Sequence, residues 1–410
     1  HLRNHGWRRV MAFVAVCLGL LLGLFYVGGG WYFSGVIRED ALLIERSPPD
    51  YPIEVAAVTE DTITLRVVGN LGSDRSLSGG QWDRDLWVGV GTEDTSGLVG
   101  PAIRRSATVA TRRYIPPEGA PLRVGDRVRL DVRAFWPDPR RGLGQQFRTV
   151  AYSNPLGSYP SWRIAGERRD VWAIYVHGKG ADRDEPLRLS ATIGDAGLTG
   201  LVIRYRNDPD SPSAPGMLAR YGQTEWEDLD AAVEWAMDRG AARFVLAGTS
   251  MGASIVLGFM ERSEHAGRVD ALVFDSPATS ISEVIRTGAK TTPLVPGVVD
   301  VPNSLTRAAM GIASARFDIS WDATDYNARA GDLDVPTLIW AAEHDETVPI
   351  STVRDFVAAT PPGLVRFEVV DDPAVDHLMS WNHDPERYDQ VTRAFVAEQV
   401  PMAQPSPTAG

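Results

Sequence analysis

The chain has 410 residues, of which 44% are hydrophobic and 23% charged, and a formal net charge of −12. This composition excludes a disordered polypeptide and gives enough chain for two or three domains with a sizeable core. The acidic balance argues against a nucleic-acid partner, and the single cysteine, Cys17, excludes an intrachain disulfide.

The first element is an uncharged run, VMAFVAVCLGLLLGLFYVGGGWYF, at 10–33. As a helix it would be roughly 36 Å long, against a bilayer core of about 30 Å. Arg3, Arg8 and Arg9 precede it, and Glu39, Asp40 and Glu45 follow soon after Arg38. The positive-inside bias then predicts a cytoplasmic N-terminus at 1–9, an uncleaved signal anchor at 10–33 and an extracytoplasmic remainder at the plasma membrane. Trp31, Tyr32 and Phe33 are expected in the outer interfacial belt. SPPDYP at 47–52 reads as a stalk or the start of a domain.

From about 45 to 150 the runs are short and of period two: IEVAAV, TITLRVV, DLWVGVG and DRVRLDVRAFW. Glycine, proline and aspartate separate them, which predicts a small β-rich module. After Arg163 the rhythm changes. VWAIYVHG (171–178) is a continuous apolar run, as a buried parallel strand requires, and LVIRY (201–205), FVLAG (244–248), ALVFD (271–275), TLIWAAE (337–343) and VRFEVVDD (365–372) read as further strands. Helical stretches lie between and after them at about 185–196, 224–239, 251–264, 351–359 and 385–399. This alternation predicts an α/β domain over 151–400 with a doubly wound, mostly parallel sheet. Segment 276–334 interrupts it with PLVPGVVDVP and sits where a cap would be inserted. The tail at 401–410 reads as disordered.

Gly248-Thr249-Ser250-Met251-Gly252 falls where a strand should become a helix. A G-x-S-x-G turn holds a serine on strained backbone, with glycines allowing close approach of neighbouring chain. Ser250 is therefore the candidate nucleophile, and the Met251 N–H, opening a helix, a candidate oxyanion donor. A serine needs a base, and the base needs an orienting acid. His377, in the loop after 365–372, is the candidate base, with His383 as runner-up; His265 reads as solvated. Asp345, beside His344 in the loop after 337–343, is the candidate acid, with Asp275 as the alternative. Asp372 and Asp376 are too near His377 in sequence to be expected as its partner. The loop at 177–180 predicts the second oxyanion donor, the Lys179 N–H ahead of Gly178. His177 reads as shaping that loop. Glu225, Glu227 and Asp228 read as a solvated helix start, and by charge alone are the candidates for holding a substrate terminus in a peptidase or amidase.

With HGKG at 177–180, GTSMG at 248–252, EHDETVP at 343–349 and DHLMSW at 376–381, the chain from about 150 to 400 resembles the α/β-hydrolase fold family. Within that family it is most similar to Bem46-like and serine aminopeptidase-type hydrolases, including membrane-anchored actinobacterial members. NPLGSYPSWRIAG at 154–166 adds to the likeness. Ala253, where many members carry glycine, and Asp376, where glycine is common, depart from the pattern. Residues 45–150 lie outside the resemblance. It implies hydrolysis of esters, thioesters, amides or peptides by a serine, with no metal and no cofactor. The expected activity is ester cleavage, with acyl or lipid esters among the expected substrates and a peptidase or amidase as the alternative within the fold. A non-catalytic anchored binding protein is the reading outside it.

Overall fold

The computed structural model describes residues 2–46, 48–72, 78–117, 120–291, 293–295 and 299–400. The tail at 401–410 and the middle of the PLVPGVV stretch lie outside the described residues.

The N-terminal segment is one continuous helix over 2–42. It is α-helical at Leu2–Leu24 and Gly30–Ile37, with π-turns at Phe25–Gly29 and Arg38–Leu42. Its apolar part is unburied and long enough to cross a bilayer. Its last turns differ from the sequence expectation. Ile37 and Leu42, with Ile44 just beyond, enter the main hydrophobic core, so the helix ends inside the folded body. Trp31 and Tyr32 stay exposed, whereas Phe33 turns toward that core. The stretch expected as a stalk is also docked. Arg46 just before it pairs with Asp208 at 2.6 Å, and Arg127 donates to the Tyr51 carbonyl.

Six strands follow: β1 (Ile53–Val58), β2 (Thr62–Val67), β3 (Val88–Gly91), β4 (Ser96–Arg105), β5 (Val109–Ile115) and β6 (Arg127–Asp131). They close into an antiparallel barrel in the order β1-β2-β5-β4-β3-β6. Alternate residues, among them Ile53, Val55, Ile63 and Leu65, point inward and are fully buried. Closure removes the exposed sheet edges that so short a module would otherwise present.

The second sheet has eight hydrogen-bonded strands. They are β7 (Phe147–Asn154), β8 (Gly157–Ile164), β9 (Arg168–Val176), β10 (Leu198–Val202), β11 (Arg243–Thr249), β12 (Val269–Asp275), β15 (Thr337–Ala342) and β16 (Val365–Val370). Their order is β16-β15-β12-β11-β9-β10-β8-β7. Six strands are parallel, and β8 and β7 add an antiparallel edge hairpin. The expected boundary at residue 150 thus falls inside a strand of this sheet. Between β12 and β15 stand β13 (Pro293–Val295), β14 (Val299–Asp300) and two helices, Ile281–Thr291 and Asn303–Phe317.

The parallel strands inside the edge strand β16 are covered on both faces, and their residues divide by parity. Trp172, Ile174 and Val176 of β9 feed one apolar layer, and Val171, Ala173 and Tyr175 feed the other. The second layer is continuous with the barrel interior, which seats the barrel on the sheet domain. Polar contacts reinforce the seat: Asn382 donates to the carbonyls of Trp87 and Val132. The last helix, Pro385–Gln399, starts where Asp384 caps the Arg387 N–H and Pro385 takes the first helical position.

Chain direction reverses at β9. The next strand, β10, lies on one side of it, and β11 lies on the other. The crevice at the C-terminal ends of β9 and β11 is therefore the switch point where doubly wound sheets bind ligands.

Candidate active site

Ser250 follows β11 at that crevice. Its backbone has φ 50° and ψ −117°, a strained conformation for a residue with a Cβ. Main-chain bonds hold it there: its N–H donates to the Asp275 carbonyl at 2.9 Å, and its own carbonyl accepts from Ala278 at 3.2 Å. The flanking glycines are required by approach. A Cβ on Gly248 would lie 2.6 Å from the Ala253 nitrogen, and one on Gly252 would lie 2.8 Å from the His177 carbonyl and closer still to that of Val176. The Gly252 contact packs the helix Met251–Arg262 against the end of β9.

The structure brings Ser250, His377 and Asp345 into one hydrogen-bonded chain. Ser250 Oγ lies 2.8 Å from His377 Nε2, and His377 Nδ1 lies 2.7 Å from Asp345 Oδ2. Asp345 Oδ1 accepts the N–H groups of Thr347 and Val348 at 2.8 and 2.7 Å, which leaves its other oxygen for the ring. Burial works against a charged His377, but the Asp345 carboxylate and its hydrogen bond outweigh it and raise the ring above its ordinary value.

The runner-up residues lie elsewhere. His383 faces Asp372 at 3.4 Å, and His344 pairs with Asp371 at 3.1 Å. His265 sits 3.5 Å from Glu234. Asp275 is fully buried and bound to Tyr388 and Arg188 at 3.0 and 3.3 Å. Asp376 does not touch the His377 ring. Its Oδ1 accepts the N–H groups of Glu346 and His377 at 2.9 and 2.8 Å, so it clamps the loop of the acid to that of the base.

Glycine 178 and Lys179 lie beside the serine. The Gly178 N–H donates to Glu185 Oε2 at 2.6 Å, which removes it as an oxyanion donor. Among the described residues the N–H groups of Lys179 and Met251 have no protein acceptor. Glu185 Oε2 also accepts the Thr249 hydroxyl at 2.5 Å, so one buried carboxylate holds the 177–180 loop against the elbow. Sequence reading placed Glu185 only at the start of an amphipathic stretch, and nothing local marks it.

His177 is fully buried. Its Nδ1 lies 2.9 Å from the Gly178 carbonyl and its Nε2 lies 2.8 Å from Asp208 Oδ2. The Asp208 carboxylate accepts from Nε2–H and favours the charged ring, while the Tyr205 hydroxyl also lies 3.2 Å from Nδ1. Burial opposes that charge, but Asp208 overcomes it and pushes the ring up to about 9.

The acids expected as a solvated helix start are a correction. Glu225 and Asp228 are buried. Glu225 accepts the N–H groups of Arg220 and Gly222, and Asp228 is held by Arg206, Asn154 and Tyr159. Only Glu227 is exposed, beside Arg206. They anchor the turn into the helix Trp226–Met237 because their carboxylates replace missing main-chain acceptors.

Two cavities flank the site. One, of about 1060 Å³, lies between the barrel and the sheet domain; Arg133, Trp136, Glu185 and His377 line it. The other, of about 290 Å³, is mostly apolar and lies between the N-terminal helix and the 276–334 insertion. Lys179 and Thr347 line both.

No family model matches the chain, and no curated protein matches it in sequence. In fold it is similar to the esterase Pf2001 of Pyrococcus furiosus, at 16% identity and a TM-score of 0.49 over 65% of this chain and 97% of that one. It is also similar to a thermophilic esterase of Thermogutta terrifontis, at 19% and 0.43 over 62% of this chain and 98% of that one. Carboxylesterase CesB of Bacillus subtilis stands at 17% and 0.42, over 62% and 93%. At such identities and scores the likeness assigns no activity.

Proposed function

We propose that this chain is a membrane-anchored serine hydrolase of the α/β-hydrolase type that cleaves carboxylic esters. The observation that carries the reading is the Ser250–His377–Asp345 chain of hydrogen bonds, with the serine on a strained strand-to-helix turn. Ser250 Oγ attacks the ester carbonyl carbon while its proton passes to His377 Nε2. Asp345 keeps the Nδ1 proton in place and stabilises the imidazolium that forms. The N–H groups of Met251 and Lys179 receive the oxyanion. Collapse of the tetrahedral intermediate breaks the carbon–oxygen bond, and His377 returns the proton to the departing alkoxide. His377 then takes a proton from water, hydroxide adds to the acyl-enzyme, and the carboxylic acid leaves as Ser250 is reprotonated.

A peptidase of the same fold would need a free charge for a substrate terminus. Glu225 and Asp228 are occupied by protein donors and give no support to that reading. Single-pass anchoring with the catalytic domain outside the plasma membrane rests on the apolar helix and on Arg3, Arg8 and Arg9 before it. The Bem46-like placement rests on the four motifs alone.

The test is labelling of the detergent-solubilised full chain with a fluorophosphonate, beside Ser250→Ala and His377→Ala. Labelling of the wild type, lost in both variants, is expected. A wild type that stays unlabelled while hydrolysing no ester would favour the binding-protein alternative.

A further inference from the structure

The N-terminal helix does more than reach the body of the protein; it walls a cavity beside the serine. Phe33, Val36, Ile37 and Ala41 form one side of the apolar cavity of about 290 Å³. The opposite side is the helix Ile281–Thr291, through Ile281, Val284, Ile285, Gly288 and Ala289. Their spacing of three and four residues puts them on one face.

The cavity joins two places. At one end Lys179 and Thr347 line it, the first a candidate oxyanion donor and the second bonded to Asp345. At the other, Phe33, Val36 and Ile37 belong to the uncharged run that begins at residue 10 and ends before Arg38. From Phe33 to Ala41 the helix advances only about 12 Å. The cavity therefore runs from the apolar N-terminal helix to Lys179 and Thr347, two neighbours of the Ser250–His377–Asp345 chain. The arrangement is braced. Tyr26 bonds Ser304 at 3.0 Å, and Arg316 lies 3.9 Å over the Trp31 ring while donating to the Ser34 hydroxyl. Both contacts hold the helix Asn303–Phe317 to the end of the apolar segment.

We infer that this cavity is the acyl-chain subsite, and that it takes the tail of an ester lying in the same bilayer the helix crosses. This rests on the serine-hydrolase reading. The tail slides between the N-terminal helix and Ile281–Thr291, its carbonyl reaches Ser250, and the polar leaving group departs into the larger cavity under the barrel. The apolar lining fits a hydrocarbon chain, and a soluble polar substrate would gain nothing from a wall supplied by a membrane helix.

The experiment fills the cavity from each wall in the full chain. A Cβ at Gly288 meets no atom within 4 Å, so Gly288→Phe starts from open space and fills the cavity from the Ile281–Thr291 side. Val36→Phe does so from the anchor side. The readout is the ratio of kcat/KM on a dodecanoyl ester to that on a butanoyl ester of the same alcohol. A fall of at least tenfold in the ratio for both variants is expected, while Leu20→Phe, on the unburied stretch, keeps the wild-type ratio. A ratio within twofold of wild type in both variants, with fluorophosphonate labelling retained, overturns the subsite. Should neither variant fold, the wild type decides: a ratio below one overturns it. The route is read by placing the dodecanoyl ester either in the vesicles that hold the enzyme or in a separate vesicle population. Faster turnover in the first supports access from the enzyme's own bilayer, and equal turnover overturns that route. If the wild type neither labels nor cleaves any ester, it is the serine-hydrolase reading that fails.

Discussion

Lys179 Nζ donates to the main-chain carbonyl of Asp40 at 2.7 Å. The loop that holds the candidate oxyanion N–H is thereby latched to the last turn of the N-terminal helix, where carbonyls lack helical partners and attract cations. Burial pulls the ammonium below its ordinary value, against Asp40 and Glu45. Lys179→Met keeps the backbone N–H and removes the latch. It is expected to lower kcat roughly three- to tenfold, in line with the loss of about 1 kcal/mol of hydrogen bonding, with little change in melting temperature. Steady-state kinetics beside a thermal melt separate the two effects.

Asp345→Asn tests the orienting acid. An amide can leave the ring in the wrong tautomer, so kcat should fall by about 10⁴ with the fold intact. Asp275→Asn, at a buried carboxylate that does not touch the ring, is expected to act on stability instead, through Arg188 and Tyr388. An Asp345→Asn enzyme with near wild-type kcat would remove Asp345 from the mechanism.

The pH–rate profile follows from His377. Its neutral form is the base, and its pKa in the fold is raised above the ordinary 6.5 by Asp345 in spite of burial. Activity should therefore be lost as pH falls through a limb lying above 6.5, read in kcat/KM for the free enzyme. A limb below 6.5 would contradict the pairing.

His177 sets a stability profile with its own window. Its pKa is raised from 6.5 in the unfolded chain to about 9 in the fold. The protons bound by the folded state exceed those of the unfolded state between these values, so the stabilisation is complete below 6.5 and is lost as pH rises through about 9. Denaturant melts between pH 6 and 10 should register it. Asp208→Asn should flatten this dependence and cost about 3–5 kcal/mol, since it leaves a buried charge unpaired.

Gly252→Ala tests the close approach at the elbow. The added methyl meets the carbonyls of Val176 and His177, main-chain atoms of a central strand end that cannot move aside. A loss of about 3 kcal/mol or more is expected, at the upper end of overpacking, together with loss of fluorophosphonate labelling. Gly363→Ala, at a left-handed turn with open space around it, should cost far less.

The parts legible in the sequence were those written locally. Inner parallel strands buried on both faces read as unbroken apolar runs, and Ser250 and Asp345 sit just past such runs, while His377 follows the more polar edge strand Val365–Val370 after a short loop. What could not be read depends on chain far away. Glu185 matters because it meets Gly178 and Thr249, the latter 64 residues on, and its own surroundings look like any amphipathic stretch. Asp376 was set aside for its nearness to His377, yet it acts on the adjacent N–H and on Glu346 across the crevice. The period-two runs of 53–131 predicted strands, but closure depends on β1 meeting β6, a pairing that no short window contains. Nor does hydropathy say where the exposed part of the N-terminal helix ends; Ile37 and Leu42 continue the apolar count while serving the globular core.

The docked end of the N-terminal helix bears on how the protein is prepared. Cutting the chain at residue 45 to obtain a water-soluble fragment keeps Ser250, Asp345 and His377 intact, and the fragment could still react with a fluorophosphonate. It would have lost Phe33, Val36, Ile37, Ala41 and Leu42, and with them one side of a cavity and part of the core. Its preferences would be those of a cleft open to solvent. Substrate screens run on such a fragment would rank short, soluble compounds highest and attribute to the enzyme a taste created by the truncation.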